Sequence, residues 1–307
     1  MLELSKYKKS IICTDPKGEI YKITSSYFRK IGYTVKVFNL KDMQHSDMWN
    51  PLQENIDIND VQTSASVIIE NTQVHNNGGD QFWPRTETNL LQAFQAYFLE
   101  TFSSDNTLTN VYKSIAKENT DEMDRMFKQL PQDSPARICY NSFAGSSPTI
   151  KASVITGLAS RLQIFQNKDL QRLTSGTDID LSLPGKEPCM YYIITSDLDS
   201  SFDVIASLFY TFLFIKLGRY ADSRPNGRCE TDVFFLLDEF ANIGQIPDFN
   251  KKISTVRSRG ISLIPIVQNL GQLQNRFPNG LAGEIIGNCD VRLSLRNYRC
   301  FNSTIFL

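Results

Sequence analysis

Between Ser10 and Phe38 the chain reads strand, helix, strand in fewer than 30 residues. Ser10-Ile-Ile-Cys-Thr-Asp15 is an apolar run closed by an acid, and Pro16-Lys-Gly18 supplies a turn. Residues 19–31 carry a helical pattern that Gly32 stops, and Thr34-Val-Lys-Val-Phe38 is the next strand. A helix linking two successive strands brings the second back parallel to the first. The chain is therefore committed to a parallel sheet covered by helices.

Later segments extend that sheet. Met190-Tyr-Tyr-Ile-Ile-Thr195, Val233-Phe-Phe-Leu-Leu237, residues 261–267 and Asp290-Val-Arg-Leu-Ser-Leu295 all read as strands. Helices are expected over residues 201–217, 247–258 and 281–286. Asn50-Pro51 opens a loop, residues 56–73 have helical spacing, and Asn76-Asn-Gly-Gly79 breaks the pattern. From residue 80 to about 140 no β-like run occurs, and Leu90, Leu91, Phe94, Tyr97 and Phe98 recur at helical intervals. A further helix, entered through Gly145-Ser-Ser-Pro148, covers residues 144–166. The expected organisation is an α/β unit of residues 1–79 and 145–307, interrupted by an all-α insertion at 80–144.

The bulk numbers narrow the function classes. Of 307 residues, 41% are hydrophobic and 21% charged, which suits a globular chain and excludes disorder and coiled coil. Lys plus Arg number 32 against 33 Asp plus Glu, so no global field draws the protein to nucleic acid or anionic lipid, and any DNA contact must be local. The six cysteines (13, 139, 189, 229, 289, 300) are scattered without a Cys-x-x-Cys pair and read as reduced packing residues. His45 and His75 have no partner motif and read as surface residues. The first ten residues are polar and lysine-bearing, unlike a signal peptide, and the longest apolar run, residues 204–215, is about half a bilayer span. It reads as a buried helix.

The sharpest chemical signal is Phe234-Phe-Leu-Leu-Asp238-Glu239, four apolar residues followed by two carboxylates. A buried parallel strand delivers its C-terminal end to the ligand crevice, so acids there can meet a bound ligand. In phosphate-hydrolysing motors this is a Walker B element: the aspartate holds Mg²⁺, and the glutamate polarises the attacking water. The competing reading is an acidic strand end that caps the following helix. Gln268 ends the next strand, where an amide could sense a γ-phosphate. Arg257 and Arg259 precede that strand, near the end of a helix. A guanidinium there could stabilise phosphoryl transition-state charge, from a neighbouring subunit included, or simply cap the helix before Gly260. Local chemistry leaves these two readings level.

Taken in order, the motifs resemble the type IV secretion coupling proteins of bacterial conjugation, of the TraG/TraD type. The matching residues are Thr14-Asp-Pro-Lys-Gly-Glu19, Trp49-Asn-Pro-Leu52, Gly79-Asp-Gln-Phe-Trp83 with Glu87, and Leu-Leu-Asp-Glu-Phe-Ala-Asn-Ile-Gly-Gln-Ile-Pro-Asp-Phe over 236–249. They continue through Ile253-Ser-Thr-Val-Arg-Ser-Arg-Gly260, Gln268-Asn269 and Ile286-Gly-Asn-Cys289. The resemblance implies a RecA-like parallel sheet of the P-loop NTPase type, related to FtsK and HerA, with an inserted all-α domain. It implies ATP and Mg²⁺ as cofactors, Asp238 as the Mg²⁺ residue, Asp15 and Lys17 beside the nucleotide, Glu239 as water activator, Gln268 as phosphate sensor and Arg257 as an arginine acting in trans. The implied setting is a hexamer at the cytoplasmic face of the bacterial membrane, moving single-stranded DNA with its relaxase from relaxosome proteins to the secretion channel.

Two departures shape the expectation. No Gly-x-x-x-x-Gly-Lys-[Ser/Thr] occurs in the chain, and Lys17 lies too far along the fold to replace that lysine, so nucleotide affinity and activity of the chain alone are expected to be very low. The resemblance also implies membrane helices and a P-loop upstream, hence a chain truncated at its start. Residues 296–307 depart from the family pattern, whereas reading allowed codons one base later restores Gly-Ile-Thr-Asp-Val-Ser-Thr-Ala-Gln-Phe. A frameshifted end is expected, which sequencing the gene decides. The alternative function is a non-catalytic module that docks relaxosome or substrate proteins through the all-α insertion. An ordinary P-loop enzyme such as a helicase fits the ordered motifs less well.

Overall fold

A computed structural model describes residues 1–73, 82–101, 106–117, 119–196, 199–294 and 304–306. In chain order, α1 (Leu2–Lys6), β1 (Ser10–Thr14), α2 (Glu19–Lys30) and β2 (Thr34–Asn39) come first. Helices follow: α3 (Ile58–Thr72), α4 (Phe82–Thr101), α5 (Leu108–Ile115), α6 (Thr120–Lys128), α7 (Pro135–Ala144), α8 (Pro148–Arg161) and α9 (Lys168–Leu173). The chain then returns to β3 (Cys189–Ile194), α10 (Asp203–Asp222), β4 (Val233–Leu237), α11 (Phe249–Thr255), β5 (Ile261–Val267), α12 (Leu270–Arg276), α13 (Leu281–Gly287), β6 (Arg292–Ser294) and β7 (Thr304–Phe306). Two compact units result: residues 1–47 with 179–307, and residues 48–178.

In the first unit the sheet order is β2-β3-β1-β4-β5-β7-β6. The first five strands are parallel, as the βαβ start requires, whereas β7 runs antiparallel to both β5 and β6. The last strand expected from the sequence is therefore present as β6 but pairs with β7 rather than directly with β5. Every residue of β1 and β3 is buried, as central strands of a doubly covered sheet must be. On one face Ile11, Cys13, Met190, Tyr192 and Ile194 pack with Phe28 of α2. On the other, Phe209 of α10 stacks on Phe38 at 4.6 Å and Phe214 on Phe235 at 4.7 Å. Among the described residues α10 is the one helix long and apolar enough to cross a membrane, yet most of it is buried in this core.

The turn after β4 packs hard against the start of α10. A Cβ on Gly244 would stand 2.3 Å from the Asp203 carbonyl oxygen, so backbone meets backbone there and only glycine fits. Ser207 Oγ donates to the Gln245 carbonyl beside it. This contact fixes where the turn lies relative to the sheet.

The helical unit is drawn wider by the structure than the 80–144 expected. Its ends are tied together: Met48 N–H donates to the Asp178 carboxylate (2.9 Å), Asp178 N–H to the Met48 carbonyl (2.8 Å) and Trp49 N–H to the Leu173 carbonyl (2.9 Å). α4 is the hub, packed by α3, α5, α7 and α8, which is why helices outside 80–144 belong to the same unit. Phe127 stacks on Tyr140 at 4.0 Å and meets the edge of Phe94. The break at Asn76 to Gly79, His75, the Gly79-Asp-Gln stretch, Cys300 and most of the tail after Ser294 lie outside the described residues.

Two measurements probe these arrangements. The Asp124 carboxylate accepts from Tyr140 Oη (2.7 Å) and Lys151 Nζ (3.1 Å). Burial works to raise its pKa, but the hydroxyl and the ammonium outweigh that and hold it below the ordinary value. A lowered folded pKa contributes stability that is complete above the unfolded value, about 4, and is lost as pH falls through the folded one. Melting followed by circular dichroism from roughly pH 5 to pH 3 should be less pH-dependent in Asp124→Asn than in wild type; equal dependence would refute the assignment. Gly244→Ala should cost about 1–3 kcal/mol in urea denaturation. Gly218→Ala, inside α10 with nothing within 4 Å of the added methyl, should instead stabilise by about 0.5–1 kcal/mol.

Candidate active site at the C-terminal edge of the sheet

The register of the parallel ladder builds the site. Thr14 is paired with Leu237, and Leu237 with Pro265. Asp15 and Asp238, each following its strand directly, therefore emerge side by side. Gln268, just past β5, emerges on the same edge. Outside the carboxyl ends of parallel strands the backbone opens a crevice where ligands bind.

Asp238 is half-buried, and its carboxylate accepts the Glu239 N–H at 3.1 Å. Burial pushes its pKa upward, the Glu239 and Asp15 charges add to the rise, and the Glu239 N–H and Lys17 oppose it. The cluster thus holds more negative charge than it can comfortably solvate. Lys17 is exposed and close enough to Asp238 to be felt electrostatically. Asp15 is buried, and its carboxylate accepts the Tyr21 N–H at 2.8 Å. That bond satisfies a free N–H in the first turn of α2, so Asp15 caps a helix as well as facing Asp238.

Glu239 occupies the left-handed region, φ 48° and ψ 44°, which a non-glycine residue adopts only when its surroundings compel it. Its carboxylate accepts from Asn242 Nδ2 (3.0 Å) and Gln268 Nε2 (3.3 Å), and its carbonyl accepts the Asn242 N–H (2.7 Å). The acid expected to activate water and the amide expected to sense phosphate are therefore in hydrogen-bond contact across the β4–β5 strand ends.

Arg257 is not among them. It stands before β5, at the opposite edge of the sheet, about 20 Å away by the rise of a seven-residue strand. There it pairs with Asp290 at 3.0 Å, both side chains largely exposed. The neighbouring arginine takes the helix-capping role: Arg259 donates in bidentate fashion to Asp222 (2.8 and 3.0 Å) and to the Thr255 carbonyl, ahead of Gly260 at φ 79°.

Sequence reasoning missed Asn242, Arg276 and Asp203. Arg276, at the end of α12, donates to the Ile243 carbonyl at 2.8 Å and faces Asp203. Burial pushes the Asp203 carboxyl up to about 6 against the pull of Arg276. Asn242 lies three residues after Glu239 in a tight turn and was within reach of a local argument; Arg276, 33 residues from Ile243, was not.

Three of the resembling motif residues act in the helical unit instead. Trp49 is fully buried with its indole N–H on Glu54 (2.9 Å), and the Asn50 carboxamide accepts the Leu52 N–H while donating to the Asn106 carbonyl. Glu87, buried, pairs with Arg161 (2.7 Å), which also donates to the Thr72 carbonyl, so α3, α4 and α8 are joined by one guanidinium.

Among the described residues no group of three or more His, Cys, Asp or Glu side chains has metal-holding geometry. A cation at Asp238 would complete its shell with water and phosphate oxygens, the usual habit of Mg²⁺ and one the hard carboxylate oxygens present here fit.

The chain is 24% identical over 313 residues to the conjugal transfer protein TraG of Escherichia coli, covering 94% of this chain and 49% of the relative. It is 23% identical over 299 residues to the protein VirD4 of Rhizobium radiobacter, covering 94% and 42%. The chain thus spans about half the length of the curated relatives it matches. Among solved structures, the plasmid coupling protein TrwB with the non-hydrolysable ATP analogue ADPNP superposes with a TM-score of 0.60 at 12% identity, over 91% of this chain and 68% of that one. TrwB with ADP and Mg²⁺ gives 0.55 at 11% identity, over 91% and 68%. At that identity the likeness is one of fold, and the fold is the RecA-like α/β architecture expected from the motifs. The profile described as "Type IV secretory system Conjugative DNA transfer" matches residues 3–299, and the chain belongs to that family.

Proposed function

We propose that this chain is the nucleotide-hydrolysing part of a conjugative coupling protein, an ATP-driven motor that moves single-stranded DNA from the relaxosome toward the type IV secretion channel. The observation that carries the reading is the row Asp15, Asp238, Glu239, Gln268 along one sheet edge, with Gln268 bonded to Glu239. Asp238 is the residue to hold Mg²⁺, which, with its nucleotide, would supply a polarised phosphate for attack. Lys17 partly offsets the negative charge of the cluster. Glu239, oriented by Asn242 and Gln268, accepts a proton from water. Gln268, being exposed, can exchange its bond to Glu239 for one to a phosphate oxygen, so that the glutamate is released when a phosphate arrives. Arg257, paired with Asp290 and remote from Asp238 and Glu239 of its own chain, serves a neighbouring subunit's site in the proposed hexamer. Membrane association, relaxase and relaxosome contacts and channel components belong to the same proposal.

A second reading rests on the helical unit, which closes on itself as a separate compact unit. On that reading the helical unit docks relaxosome proteins and the sheet is scaffold.

Phosphate release separates the two. With a P-loop segment fused upstream, the chain should hydrolyse ATP, and Glu239→Gln should slow it by about 10²–10⁴-fold. The bare chain should be nearly inactive. Full activity in Glu239→Gln would sink the motor reading, whereas no hydrolysis in any form together with retained relaxosome binding would favour the scaffold.

A further inference from the structure

The segment from Gln268 to Phe277 touches the turn after β4 at both of its ends. At the first, Gln268 Nε2 donates to the Glu239 carboxylate (3.3 Å). Asn269 then caps α12 by accepting the Gln272 N–H (2.8 Å), which makes the short helix a direct continuation of the strand end. At the second, Arg276 Nη2 donates to the Ile243 carbonyl (2.8 Å). The Phe277 ring stacks on Phe240 at 5.5 Å, with the two planes nearly parallel. Residues 239–243 are thus bracketed by one continuous piece of chain, while Gly244 behind them is pressed onto α10.

We infer that Arg276 is a positioning residue for Glu239: by holding the Ile243 carbonyl it keeps the turn closed and the glutamate in its left-handed conformation. The physical need is clear. A left-handed glutamate costs energy that must be met by contacts made elsewhere in the turn. The carbonyl of Ile243 is the far end of that turn, and a charged donor on it makes a stronger bond than a neutral one. The guanidinium is half-buried, which works against its charge, and the Asp203 carboxylate it faces offsets part of that cost. Asn269 links Gln268 directly to α12, whose last residue is Arg276, so the amide that would meet phosphate and the anchor of the turn lie on one short piece of chain. The bracket therefore couples the amide that meets phosphate to the acid that meets water.

This inference rests on the motor reading for its consequence, but not for its geometry, and the two are tested apart. Hydrogen exchange by mass spectrometry on the 307-residue chain compares wild type, Arg276→Ala and Arg276→Lys. Exchange across residues 239–243 should rise about tenfold in Arg276→Ala, with β4 unchanged, and return toward wild type in Arg276→Lys, whose ammonium can still reach the carbonyl. Unchanged exchange in Arg276→Ala overturns the inference. Mn²⁺ alone, followed by electron paramagnetic resonance with Asp238→Asn as control, should bind about tenfold more weakly to Arg276→Ala than to wild type, as loss of a supporting contact does at a metal site. A loosened turn with undiminished Mn²⁺ affinity would make Arg276 merely structural and also overturns it. Equal Mn²⁺ binding by wild type and Asp238→Asn would instead fail the metal reading, and the exchange arm would still decide the bracket.

Discussion

The alignment of β1, β4 and β5 as parallel neighbours governs everything at the candidate site. Each strand buries alternate or all side chains between helical layers, so a slip of one residue would turn Phe235 and Leu237 away from α10 and bring their neighbours inward. Register is therefore strongly specified by packing. Its consequence is that Asp15, Asp238 and Gln268, which have no local reason to meet, leave the sheet together at one edge. The same alignment sends Arg257 to the other edge.

Charge and strain are concentrated where the sheet ends. The raised pKa of Asp238 records first the cost of half-burying its carboxylate and then the nearby Glu239 and Asp15 charges. Glu239 is held left-handed by bonds from Asn242 and Gln268 and by a turn anchored through Gly244 and Arg276. A fold maximising its own stability would have no use for either feature. The crowding of carboxylates is what an electropositive ligand would relieve, whereas the left-handed backbone is met by the contacts of the turn itself.

The helical unit shows the opposite allocation. Trp49, Asn50 and Glu87 stand in motifs shared with the family, and in the structure they close the base of the unit and pin three helices together. A motif residue marks a constraint, and here the constraint is burial of polar groups that must be paired. That the indole N–H, the carboxamide and the carboxylate each have a partner is the reason those residue types are found there.

Much of the fold was legible because periodicity is a local property. The βαβ start, the buried strands ending at Thr14, Leu237 and Val267, and the helical texture around Leu90 and Phe94 follow from which residues are apolar and at what spacing. Asp238-Glu239 and Gln268 could be singled out by their place after such strands. The edges of the helical unit could not, since they depend on Met48 meeting Asp178 across 130 positions. Nor could the left-handed Glu239, the bracket of Arg276 on Ile243, or the assignment of Arg259 to Asp222 and of Arg257 to Asp290. By itself the sequence determined the buried strands, the longer helices and the polar residues that follow β1, β4 and β5, because hydrophobic burial acts through nearest-neighbour spacing; the short α1, α9 and α12 and the strand β7 were not legible in it. Only the tertiary structure decided which of those termini face one another, because hydrogen bonds and charges select partners by distance in space.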